Sequence, residues 1–117
     1  MEILIYPPCS TCKKAIKYLT QHGIEHTVRD IVKQPLTIEE LKTLHEQSEL
    51  PIKKFFNTSG MKYRELNLKV KLPEMSVEEC YELLASDGML VKRPLAYHQG
   101  TVTLGFKEET YEKVWSK

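Results

Sequence analysis

The chain reads as an α/β domain built on one four-stranded mixed sheet. Three features predict this: a strand–helix–strand pattern at the N-terminus, a stretch of about residues 36–88 with helical patterning only, and a hairpin pattern followed by a closing helix. With 117 residues, 41% hydrophobic and 28% charged, it is sized for a single unit spanning 1–117, because a second core would leave each half near the lower limit of self-supporting folds.

Ile3-Leu4-Ile5-Tyr6 is a β-branched and aromatic run stopped by Pro7-Pro8, which predicts a short buried strand ending in a tight turn. From Thr11 onward Ala15, Ile16, Tyr18 and Leu19 recur at helical spacing, with Ser10 placed as the N-cap and Gly23 as the stop. His26–Ile31 is the second strand candidate, and a strand–helix–strand unit lays its two strands parallel. Thr37 and Glu40 form a Thr-x-x-Glu capping box ahead of Leu41, Leu44 and His45, so a helix opens at Pro35-Leu36-Thr37 and ends near Ser48. Between Pro51 and Leu68 the helical pattern is broken by Asn57-Thr58-Ser59-Gly60, which predicts short helices around a polar turn. Ser76 to Glu79 repeats the capping box, Cys80, Leu83 and Leu84 continue its apolar face, and Ser86-Asp87-Gly88 stops it. Leu95–His98, Gln99-Gly100 and Thr101–Leu104 form an antiparallel hairpin pattern, and Glu108–Trp115 closes the chain as a helix anchored by Tyr111 and Trp115. The order β-α-β, helical insertion, β-β-α is that of the thioredoxin fold with helices inserted after the second strand.

Seventeen Lys+Arg against sixteen Asp+Glu leave a net charge of +1, too small to hold a nucleic acid or an anionic membrane by itself. No apolar run approaches the roughly 20 residues of a membrane helix. The N-terminus carries Glu2 where a secretory signal is basic, so a reduced cytosol is expected; the expected oligomeric state is a monomer. Three cysteines, two of them three apart, do not resemble a disulfide scaffold. Zinc needs a second C-x-x-C or an H-x3-H, and neither is present; His22, His26, His45 and His98 match no ligand spacing, so no metal is expected.

The chemistry points instead to Cys9-Ser10-Thr11-Cys12, at the junction of first strand and first helix. Unpaired amides and the helix dipole there favour a negative charge, and cysteine attacks as the thiolate. Cys9, nearest the Pro-Pro turn, is the expected nucleophile, and Cys12, one turn on, the thiol that resolves whatever Cys9 binds. The turn is expected to leave both cysteines exposed. Lys13 and Lys14 add nearby positive charge, although cations in a first helical turn oppose the dipole. Arg93 can lend a fixed guanidinium to the thiolate or to an oxyanion, with a plain surface arginine as the alternative. Arg93-Pro94 is a place where a cis peptide is useful. Cys80 lies on an apolar helix face and is expected in the core.

These residues resemble a known family. Ile-Tyr-x-x-Cys-x-x-Cys-Lys-Lys-Ala at 5–15, Pro35-Leu36-Thr37 with its helix, and Leu90-x-x-Arg93-Pro94 ahead of the hairpin and Gly105 are similar to the arsenate reductase (ArsC) and Spx family. Lys54–Gly60 and Leu84–Leu90 look closest to Spx/MgsR-like, arsenate-reductase-related proteins of low-GC Gram-positive bacteria. The resemblance implies a thioredoxin-like fold, a reactive cysteine at Cys9 and a cis proline at Pro94 facing it. Glutaredoxin-coupled arsenate reductases of the family use three arginines to bind the oxyanion; here only Arg93 matches, with Asn57 and Phe106 at the other two places. Two missing guanidinium forks remove much of the bidentate recognition a tetrahedral oxyanion needs. The Spx branch uses its C-x-x-C as a redox switch and, without reading DNA bases, binds the C-terminal domain of the RNA polymerase alpha subunit; the basic C-terminal extension of such regulators has no counterpart in this sequence. The expected activity is therefore a thiol–disulfide oxidoreductase, with catalytic Cys9, Cys12 and Arg93 supported by Ser10, Thr11, Lys13 and Pro94. Its co-substrate would be thioredoxin, glutaredoxin or a low-molecular-weight thiol, with no bound cofactor. Spx-like regulation and arsenate reduction are the alternatives.

Overall fold

The structure is a computed structural model describing residues 1–116. Strands β1 (Glu2–Ile5), β2 (Thr27–Asp30), β3 (Leu95–His98) and β4 (Thr101–Leu104) form one sheet in the order β2-β1-β3-β4. β1 pairs parallel to β2 and antiparallel to β3, and β3 pairs antiparallel to β4. This is the mixed thioredoxin-like sheet. Six helices surround it: α1 (Ser10–Gln21), α2 (Ile38–Ser48), α3 (Met61–Glu65), α4 (Leu68–Lys71), α5 (Val77–Ser86) and α6 (Glu108–Val114), with 3-10 turns at Ile52–Phe55, Leu72–Glu74 and Gly88–Leu90.

Successive strand residues point to opposite faces, and both faces of this sheet are covered. Ile3 and Ala96 join Ala15, Leu19 and Tyr111 in a core beneath α1 and α6. Leu4 and Leu95 join Leu41, Leu44, Phe55, Leu84 and Leu90 in a larger core under the insertion. A strand buried on both sides reads as a continuous apolar run, which is the pattern of Ile3-Leu4-Ile5.

The local signals act as their chemistry dictates. Both capping boxes form, with the Thr37 hydroxyl accepting from the Glu40 amide at 3.1 Å and Ser76 from Glu79 at 3.1 Å. α1 ends where Gly23 takes φ +64°, letting the Ile24 amide reach the Leu19 carbonyl. Gln99 and Gly100, both at positive φ, make the tight hairpin turn. One cap differs from expectation. α1 begins one residue early, with Cys9 as the N-cap, because the Cys9 amide donates to Tyr6 O at 2.9 Å across the Pro-Pro turn and the Cys9 carbonyl accepts the first helical bond from Lys13. Ser10 is thus the first helical residue and does not cap.

Glu40 has a second partner: Arg29 on β2 grips it with Nη1 at 2.7 Å and Nη2 at 3.0 Å. The Arg29 hydrogen bond holds the Glu40 carboxyl down at about 2 against the opposing effect of burial. A depressed carboxyl pKa stabilises the fold above the unfolded value of about 4.3 and loses that contribution as pH falls toward about 2. Glu40→Gln is expected to cost about 1 kcal/mol at pH 7, discounted for solvent screening because the Glu40 side chain is 36% exposed. Urea melts of both proteins should converge between about pH 4 and pH 2; a constant gap would show that the ion pair contributes nothing.

Candidate active site

β1 delivers the chain to the Tyr6–Cys9 turn, and α1 leaves it, so the cysteine turn is fixed by a buried strand on one side and a buried helix on the other. Cys9 is half-buried and Cys12 is 0% exposed. The expectation that both would be exposed is corrected at Cys12, which turns inward with Ala15 and Leu19 on the buried face of α1.

The two thiols interact but ionise oppositely. Partial burial pushes the Cys9 thiol up. The amides of Cys12 and Thr11, the Cys12 thiol and the Arg93 charge outweigh it, so Cys9 lies below the ordinary cysteine value. Its side chain closes no capping hydrogen bond of the serine type; the amides facing the sulfur act on the anion. Burial drives Cys12 up to about 12, and the hydrogen bond and charge of Cys9 add to it. The Tyr6 amide and Arg93 oppose this only in part. One thiol is therefore the more acidic and half-accessible, and the other the less acidic and enclosed.

Arg93 is half-buried and held in place. Its Nη1 donates to the Met89 carbonyl at 3.2 Å and the Val91 carbonyl at 3.4 Å, and its Cζ lies 5.1 Å from the centre of the Tyr6 ring. Its Nε is buried without a protein partner. The Arg93-Pro94 peptide is cis, and Pro94 is buried, with its carbonyl accepting from Gly105. Thr11 lines the same cleft as Cys9 and Arg93, whereas Ser10 and Lys13 are exposed outside it. Cys80 is in the core, 2% exposed. Among the described residues no group of three His, Cys, Asp or Glu side chains is placed to hold a metal, and no helix is long and apolar enough to cross a membrane.

The insertion is clipped to the sheet side of the site. Phe56 bridges Val91, the Asn57 amide donates to Leu90 O and the Lys92 amide to Phe55 O, both at 2.7 Å. That clip brings Lys53, Lys54 and Asn57 to the same cleft as Arg93, a space of 1170 Å³ lined also by Cys9 and by residues of β4 and α6. Asn57 and Phe106 both line it. Phe106 stacks edge-on to Tyr111 at 4.7 Å, so an aromatic ring forms this part of the cleft wall. The lysines of this cleft do not show in the chain's near-zero net charge, although the adjacent Lys53-Lys54 pair is a local signal.

A parallel β1–β2 pair carrying a hairpin on its other edge, and a C-x-x-C turn at the start of the intervening helix, define a thioredoxin-like protein. Comparison with known proteins narrows this. Residues 4–114 match the ArsC family. The chain is 60% identical over 111 residues to the uncharacterized protein YusI of Bacillus subtilis (strain 168), covering 95% of this chain and 94% of that one. It is 28% identical over 105 residues to the global transcriptional regulator Spx 2 of Bacillus cereus, covering 90% and 79%. A crystal structure of an ArsC family related protein from Bacteroides fragilis superposes with a TM-score of 0.91 at 54% identity, covering 96% of each chain. The chain belongs to the ArsC family.

Proposed function

We propose that the protein is a thiol–disulfide oxidoreductase of the reduced cytosol in which Cys9 attacks and Cys12 resolves. The observation that carries this is the pair of interacting thiols at the start of α1 with opposite shifts, Cys9 down and half-accessible, Cys12 up and enclosed. The Cys9 thiolate attacks one sulfur of a disulfide, forming a mixed disulfide and expelling the other half as a thiolate. Capping Cys9 removes its negative charge and leaves its sulfur a weak acceptor, easing the two influences that reinforce burial in keeping Cys12 protonated. Cys12 then gives up its proton and attacks the Cys9 sulfur, releasing the second thiol and leaving a Cys9–Cys12 disulfide. A dithiol of the thioredoxin or glutaredoxin class, or two equivalents of a small thiol, restores the reduced pair.

Arg93 acts here as a positioned charge. Arg93→Met is expected to shift the pH midpoint of Cys9 alkylation upward and to slow alkylation at pH 7 by about threefold to tenfold. Arg93→Lys should restore the midpoint in part, since it keeps the charge while losing the two carbonyl bonds of Nη1. An unmoved midpoint in Arg93→Met would remove Arg93 from the site.

A redox-sensing regulator is the second reading, favoured by the name and sequence of the Spx relative. It would be established if the oxidised protein, and not the reduced one, captured the C-terminal domain of the RNA polymerase alpha subunit; the oxidoreductase reading alone expects no stable complex. Arsenate reduction is disfavoured by Asn57 and Phe106 in the cleft, and arsenate-dependent consumption of a thiol reductant by the purified protein would reverse that.

A further inference from the structure

The chain's charges are nearly balanced overall, at +1, yet they are segregated at the cleft. Lys53, Lys54, Lys69, Lys92, Arg93 and Lys107 line it, and no Asp or Glu does. Among the described residues none of the six is ion-paired to a carboxylate. They come from two walls: Lys53, Lys54 and Lys69 from the insertion, Lys107 from the start of α6. Lys92 stands on the clip between them, its stem near Gly105, where an added Cβ would lie 3.3 Å from Lys92 Cε. Unpaired like charges gathered in a concave surface repel one another and focus field lines, so their arrangement favours a ligand of opposite sign. Lysine differs from arginine in supplying compact, mobile point charges in place of a rigid fork. Five lysines spread around 1170 Å³ therefore suit several separated anionic groups on a flexible molecule better than one small tetrahedral anion.

We infer that the cleft selects a low-molecular-weight disulfide whose substituents carry several carboxylate or phosphate groups, and holds those groups on its two lysine walls while Cys9 attacks the central S–S bond. This rests on the oxidoreductase reading and names its substrate class. The step balances within the protein and the disulfide: Cys9 Sγ bonds to one substrate sulfur as the S–S bond breaks, and the first anionic thiol leaves. Cys12 loses a proton and displaces the second. The substrate is reduced to two thiols as the protein dithiol is oxidised.

The test is the rate at which the reduced protein loses its Cys9 thiol to a charge-graded series: coenzyme A disulfide, glutathione disulfide, neutral hydroxyethyl disulfide and cationic cystamine. At low salt the anionic disulfides should react about 10-fold to 1000-fold faster than cystamine, and the spread should shrink as salt shortens the screening length. A lead by coenzyme A disulfide assigns phosphate as the recognised group, and a lead by glutathione disulfide assigns carboxylate. The combined variant Lys53→Gln, Lys69→Gln, Lys107→Gln should lower the ratio of anionic to neutral rates by about tenfold, whereas Lys17→Gln, exposed on α1 outside the cleft, should not. Equal rates across the series with normal Cys9 reactivity would overturn the selectivity and leave the oxidoreductase reading standing. Preferential oxidation by a disulfide-bearing protein, with no charge grading among the small disulfides, would also overturn it in favour of a protein substrate. Failure of Cys9 to react with any disulfide would sink the underlying reading, and the selectivity with it.

Discussion

Cys9→Ser is expected to lower disulfide exchange by about three orders of magnitude or more, since it removes the only half-accessible sulfur of the pair. Cys12→Ala should instead stop the cycle half-way: Cys9 still attacks, but nothing displaces the bound half, so mass spectrometry after treatment with a disulfide shows a stable adduct on the Cys9 peptide. The two variants also separate electrostatics from access. In the intact protein iodoacetamide modification of Cys9 should titrate below the ordinary cysteine value, because the amides of Cys12 and Thr11, the Cys12 thiol and Arg93 together exceed the penalty of partial burial. Loss of the Cys12 thiol in Cys12→Ala takes away one of those donors, so the midpoint should rise relative to the intact protein. An ordinary midpoint at Cys9 in the unaltered chain would contradict the nucleophile assignment outright. The Cys12 thiol, driven to about 12 by burial and by Cys9, should stay unmodified across the neutral range until Cys9 is capped.

Among the glycines, Gly88→Ala is expected to be the most damaging substitution. A Cβ there would lie 2.1 Å from the Ile31 carbonyl oxygen and 2.7 Å from its carbon, backbone atoms at the end of β2 that have no free rotor to turn aside. The cost is at the upper end of overpacking, about 3 kcal/mol, which lowers Tm by about 10 °C for a chain of this size. Thermal unfolding followed by circular dichroism checks it, and a loss below about 1 kcal/mol would mean the turn relaxes away from β2. Activity should fall as well, because the Gly88–Leu90 turn leads straight into Leu90, Val91 and Lys92, the residues that clip the insertion to the site.

The elements legible in the sequence are those whose cause is local. Thr37 with Glu40, Ser76 with Glu79, and Gln99-Gly100 each carry their own hydrogen-bond or φ requirement within four residues, and each forms where expected. Ser10 reads as a cap because its side-chain chemistry favours that role, while the carbonyl of Tyr6, three residues before Cys9, fixes the helix start from outside. Gly88 reads as a helix stop; its requirement for a missing side chain comes from Ile31, far away in sequence. The burial of Cys12 is hidden for the same reason, since it depends on which face of α1 meets the sheet. The cleft is the least legible feature. Its walls come from segments before and after the Arg93-Pro94 bond, and an overall charge near zero conceals that the cations gather on one side.

With Cys12 fully buried and Cys9 half-exposed, an outside thiol would engage a Cys9–Cys12 disulfide from one end only. On the oxidoreductase reading each turnover would begin and finish at the same atom, with no reductant stranded on the inner sulfur and no second, isomeric adduct competing with the productive one. On that reading, the regioselectivity follows from which way a single helical turn faces.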